Sequence, residues 1–229
     1  VDYATVDAIM IHSANDILIK GNNITEIDVE STGISCYYAV DLYNTTGIIE
    51  SNNMLVNTTS GIDGSGAAYP IQLTGPITAT IKNNNLTTVS NGLNYGIYAA
   101  NWNGAVTLTV EDNNIDVTGY AAEGYYSVVS GIGAEIEVLK AYNNTIAVKN
   151  LAGYDDAYPA YGMSMTNGYM SAPPSADIKD NTITVNGKYA VYYINAVNTN
   201  VTGNTLYGHE LKGDDAAIIE SGSNNIINS

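Results

Sequence analysis

Apolar and polar residues alternate along this chain in short runs, and the runs come in threes. Tyr95-Gly96-Ile97-Tyr98-Ala99, Val106-Thr107-Leu108-Thr109-Val110 and Ile115-Asp116-Val117 form one such set. A period of two places one face of each run inward and the other outward, which predicts β-strands. No stretch carries the 3.6-residue pattern of a crossover helix.

The sets repeat. Ile19-Lys20-Gly21-Asn22-Asn23-Ile24 returns as Ile49 to Met54, Ile81 to Leu86, Val110 to Ile115, Ala141 to Ile146, Ile178 to Ile183 and Val201 to Leu206, with a partial echo at Asn224-Asn225-Ile226. The beat is apolar-x-x-Asn-(Asn/Thr)-apolar in about eight copies, spaced roughly 20 to 37 residues. A second phrase precedes most copies: Tyr38-Ala39-Val40, Tyr69-Pro70-Ile71, Tyr95-Gly96-Ile97, Tyr126-Ser127-Val128, Tyr161-Gly162-Met163 and Tyr189-Ala190-Val191. Asp7-Ala8-Ile9 and Ala216-Ala217-Ile218 fill the same slot at the two ends.

Three strands per period without helices predict an all-β, right-handed parallel β-helix of about eight coils, with residues 1–229 as one array. At one strand spacing per coil the rod is on the order of 35 to 40 Å long. Asn22, Asn52, Asn84, Asn113, Asn144, Asn181 and Asn204 then fall at one corner of successive coils, where positive φ is expected of them and their amides can form a ladder. The aligned tyrosines are expected to stack beside the core.

Composition agrees: 19 Tyr and no Phe, 22 Gly, abundant Asn and Thr, and few charges favour strands and turns. The 45% hydrophobic content argues against disorder. A net charge of −16, with seven Lys and no Arg, excludes a phosphate-driven nucleic-acid partner and disfavours an anionic membrane surface. The sequence has no apolar run long enough for membrane insertion. Cys36 is the single cysteine and is expected to be a small buried residue. The chain starts at Val1 and stops at Ser229 with no signal peptide, which suggests a piece of a longer protein. Asn23, Asn44, Asn57, Asn85, Asn143 and Asn200 head Asn-x-Ser/Thr triplets, weak support for a glycosylated surface in so Asn- and Thr-rich a chain.

The two phrases together resemble the pectin-lyase-like right-handed β-helix superfamily, most closely its carbohydrate-binding and sugar-hydrolase repeats and the adhesin-like surface proteins of methanogenic archaea. That resemblance implies an extracellular cell-surface protein contacting glycans or surface proteins of other cells. The superfamily also holds lyases and hydrolases, so a polysaccharide-active enzyme is the alternative, and a ligand-free stalk a third reading.

Catalysis is not expected. A lyase of this superfamily uses a basic residue, usually Arg, and the chain has none. The acidic pieces Asp155-Asp156, Gly208-His209-Glu210 and Gly213-Asp214-Asp215 do not match a hydrolase set. His12 stands alone, and no Cys/His cluster exists for zinc. No cofactor is expected; calcium is the one metal that loop acids could serve, through Asp63, Asp155, Asp156, Asp214 and Asp215. Insertions gather between the third run of one period and the tyrosine phrase of the next. Ligand binding is therefore expected from Tyr154, Asp155, Asp156 and Tyr158, with Trp102 on a strand-connecting turn, rings stacking on sugar and carboxylates accepting its hydroxyls. A monomer is expected unless the open ends of the solenoid associate.

Overall fold

The structure is a computed structural model and describes residues 3–27, 34–58, 67–90, 92–101, 106–120, 128–153, 160–165 and 173–229. These residues form three parallel sheets, two of eight strands and one of seven. Each strand pairs with the strands three before and three after it, so the chain coils as a parallel β-helix with three strands per coil. Leu93–Ala100, Val106–Glu111 and Asn114–Gly119 make one coil, contributing to the first, second and third sheets respectively.

The alternating pattern is what closes the core. Ile49, Ile81, Val110, Ala141 and Ile178 stack in register on the inner face of the second sheet, each fully buried. Met54, Leu86, Ile115, Ile146 and Ile183 do the same on the third, and Val40, Ile71, Ile97, Ile132 and Met163 on the first. Each such Val, Leu, Ile or Met side chain contributes about 1.5–3 kcal/mol by leaving water, and Ala141 less.

The asparagine ladder forms along the corner between the second and third sheets. Asn52 donates its backbone N–H (2.9 Å) and its Nδ2 (3.0 Å) to Asn84 Oδ1. Asn84 gives the same pair to Asn113, Asn113 to Asn144, Asn144 to Asn181 and Asn181 to Asn204. Asn22 begins the series on Asn52. Each Nδ2 from Asn52 onward also donates to a carbonyl of the preceding coil, Ile81 O in the case of Asn113.

Positive φ belongs to the preceding residue, not to the ladder asparagine as expected from sequence. Gly21, Ser51, Asn83, Asp112, Asn143, Asp180 and Gly203 carry φ between 52° and 69°. They absorb the left-handed turn and leave the next residue free to point its amide into the corner.

Three other alignments shift. Ser130-Gly131-Ile132, not Tyr126-Ser127-Val128, fills the tyrosine-phrase slot, because Ser130 pairs with Tyr95 and Ile132 with Ile97. On three successive coils the middle position of that phrase is glycine, Gly96, Gly131 and Gly162, and leaves no room for a β-carbon. A β-carbon on Gly131 would lie 2.3 Å from Ile146 Cγ2, and one on Gly162 2.1 Å from Ile183 Cγ2. At the C-terminal end Ala217, not Ile218, pairs with Val191, which sets the last copy back by one residue. The echo at Asn224-Asn225-Ile226 belongs to the corner before the second sheet: Asn225 Oδ1 accepts from Thr199 N–H (2.9 Å) and its Nδ2 donates to Ala196 O (2.8 Å). The same amide chemistry serves two different corners.

A tyrosine-walled groove as candidate functional site

The tyrosines stack on the outer face of the first sheet. Tyr38 and Tyr69 lie parallel at 5.3 Å, and Tyr69 continues to Tyr95 at 5.5 Å. Tyr98 packs against Tyr95 at 5.0 Å. Tyr38 and Tyr69 form, with Ala67, a cluster separate from the main core, and half-buried Cys36 packs against it rather than being fully enclosed. Further along, Tyr161 and Tyr192 stack at 4.7 Å with planes 7° apart, and Tyr189 joins Tyr192 at 6.1 Å.

Among the described residues the aromatic surface is interrupted between these two groups. In one column Ser130 stands between Tyr95 and Tyr161. In the neighbouring column Gly133 and Ser164 stand between Tyr98 and Tyr192. Three strand spacings, about 14 Å, thus separate Tyr98 from Tyr192 along their column. The result is a groove of about 270 Å3, walled by Tyr95 and Tyr98 on one side and Tyr161 and Tyr192 on the other. Gly133 is required on its floor because the ring of Tyr95 leans over it, 2.3 Å from where a β-carbon would stand.

Among the described residues the polar side chains lining the groove are Glu135, Ser164 and the wall tyrosines, while Ser130, next to Ser164, is fully buried. The hydroxyls of Ser130 and Ser164 lie 3.2 Å apart. Glu135 lines the groove and accepts a hydrogen bond from Tyr98 Oη at 3.5 Å. Tyr192 Oη donates to Glu220 at 3.1 Å. Burial pushes the Glu135 carboxyl above the usual carboxylate range, an effect the Tyr98 hydroxyl partly offsets. Burial also raises the phenols of Tyr95, Tyr98 and Tyr161, so they stay protonated at neutral pH. An apolar, aromatic-walled slot with a carboxylate and hydroxyls at its margin can stack against a ring and hydrogen-bond its substituents, and its volume is close to the lower end for ligand pockets, roughly 300 Å3.

Of the residues singled out from sequence, Trp102, Tyr154, Asp155, Asp156, Tyr158 and Asp63 lie outside the described residues. Asp214 and Asp215 are exposed in the short 3-10 turn Gly213–Ala216, where Asp214 accepts from the Ser229 N–H. Among the described residues no three His, Cys, Asp or Glu side chains are grouped so as to hold a metal. His12 is exposed and rests against the ring of Tyr43 at 5.4 Å. Asn85, head of one of the glycosylation triplets, is exposed but holds a second, outer ladder, donating to Asn53 (2.8 Å) and accepting from Asn114 (2.8 Å). Tyr98, Tyr192, Ser164 and Glu135 were missed. The signal that reveals them is the register of Gly131, since placing Tyr126 in the slot of Ser130 makes the tyrosine column continuous and hides the gap.

No family model, no curated protein and no solved structure matches this chain. Among the described residues no helix is long and apolar enough to cross a membrane.

Proposed function

We propose that this chain is a non-catalytic, extracellular binding segment of the adhesin-like, pectin-lyase-like kind, which takes carbohydrate on a rigid β-helical rod. The observation that carries this reading is the interruption of the tyrosine surface between Tyr98 and Tyr192, with Glu135 and Ser164 at its margin. Sugar rings present C–H faces that pack on tyrosine and hydroxyls that need acceptors, and the groove supplies both. The coils on either side hold the four rings on strands rather than on loops, so the site is formed before ligand arrives and little ordering cost accompanies binding.

An array of neutral, amino and uronate oligosaccharides tests this. The wild-type chain is expected to retain at least one class, and Tyr161→Ala or Tyr192→Ala to weaken retention about tenfold or more. Absence of retention on every oligosaccharide would remove the reading and leave a stalk.

A hydrolytic reading draws on one observation, the raised carboxyl of Glu135 inside a groove, as a general acid requires. New reducing ends on incubation with polysaccharide, abolished by Glu135→Gln, would favour it over pure binding.

A further inference from the structure

We infer that the groove selects a ligand bearing an ammonium group, which among sugars means a hexosamine with a free amine, over its neutral counterpart and over a uronate. This selection rests on the carbohydrate reading above and names the chemical class that the same groove takes.

Among the described residues the carboxylate of Glu135 has no cationic partner. The chain contains no Arg, and all seven Lys lie among the described residues. Lys20 and Lys82 pair with Glu50, and Lys179 with Asp177, while none pairs with Glu135. Among the described residues it accepts one hydrogen bond, the long contact from Tyr98. A half-buried carboxylate held this way gains from any cation that reaches it, because the surrounding apolar rings weaken the competition from water.

The walls favour the same charge. Ring faces carry the negative lobe of the aromatic quadrupole and attract ammonium groups within about 6 Å of the centroid. Tyr98 and Tyr192 each direct a hydroxyl to a carboxylate, Glu135 and Glu220, so both ends of the groove combine a ring with a negative group. The protein already places a cation on this surface: the Lys188 ammonium sits 5.5 Å from the centroid of Tyr189, which stacks on the wall residue Tyr192. A net charge of −16 repels uronates from the approach and concentrates cations there.

The test is calorimetric titration of the whole chain with four tetrasaccharides, of glucosamine, glucose, N-acetylglucosamine and galacturonate, at one ionic strength and a pH at which the amine is charged. The glucosamine tetramer is expected to bind about tenfold more tightly than the glucose tetramer, as one partly buried ion pair provides, with galacturonate weakest. Glu135→Gln is expected to cut that preference, read as the ratio of the two affinities within the variant, to about threefold or less. Equal affinity of the wild type for the glucosamine and glucose tetramers overturns the inference but leaves carbohydrate binding standing. A preference that persists undiminished in Glu135→Gln also overturns it, since the selectivity would then come from overall charge. Binding of none of the four overturns both readings at once.

Discussion

Asn113 Oδ1 accepts two hydrogen bonds from Asn84, one from its backbone N–H at 2.9 Å and one from its Nδ2 at 3.0 Å. Asn113 Nδ2 in turn donates to Ile81 O, Glu111 O and Asn144 Oδ1. Replacing Asn113 with Leu orphans donors and acceptors on three coils inside a corner where both asparagines are 2% exposed. The expected cost is about 3 kcal/mol or more, read from the denaturant midpoint. Asn114→Ala removes only an exposed bond to Asn85 and is expected to cost less than about 1 kcal/mol. Similar losses from both variants would mean that the buried amide is not what holds the corner.

Gly131 holds the middle position of the tyrosine phrase. An added methyl would meet Ile146 Cγ2 at 2.3 Å and Gly162 O at 2.6 Å, and the second of these is backbone that cannot swing aside. Gly131→Ala is therefore expected to destabilise the rod by about 1–3 kcal/mol through overpacking. A melting temperature within one degree of wild type would show that the position has room to spare.

Tyr193 is fully buried in the core, and among the described residues its hydroxyl has no hydrogen-bond partner. Burial drives its phenol upward, in keeping with a polar group stripped of water. Tyr193→Phe removes the unsatisfied oxygen and keeps the ring, so a gain of about 1 kcal/mol is expected in chemical denaturation. A loss of stability would point to a partner for that hydroxyl.

Glu26 sits on the third sheet in register with the core residue Val56, so it faces inward at the first coil. Desolvation, and then the neighbouring Asp7, push its carboxyl up to about 7. The native state therefore holds a proton that the unfolded chain has released between pH 4.5 and about 7. Over that window stability falls as pH rises, and below it the effect is fully recovered. Partial exposure limits the change to on the order of 1 kcal/mol. Melting temperature measured across this window is expected to decline in the wild type and to flatten in Glu26→Gln. An unchanged slope in the variant would place the titration elsewhere, for example at Asp7 or Asp41, whose carboxyls burial also raises.

The repeated Asn and the flanking apolar pair, such as Ile81 and Leu86 around Asn84, were sufficient to read the fold, because a solenoid writes the same core position once per coil. The corner was misread by one residue. The column before each ladder asparagine holds only Gly, Ser, Asn or Asp, the residues that accept a left-handed turn, and that restriction was visible in the sequence. The groove was hidden for a different reason. A binding gap in a repeat is the absence of the repeated residue, and Tyr126 lay four positions from Ser130, close enough to seem the missing member. Only the steric demand on Gly131, imposed by Ile146 on another sheet, decides between them. Asn225 shows the converse: the repeated residue type reappears at a corner where the repeat does not place it.

Ser130→Tyr tests the central claim most directly, because it restores the aromatic column across the groove with a residue that the neighbouring coils carry at that register, Tyr95 and Tyr161. Retention on the oligosaccharide array is measured for the wild type, for Ser130→Tyr and for the distant control Asp214→Asn, each confirmed folded by its melting transition. Carbohydrate binding in the groove requires retention by the wild type and the control and its loss, by about tenfold or more, in Ser130→Tyr. Equal retention by all three, or none by the wild type, would contradict it.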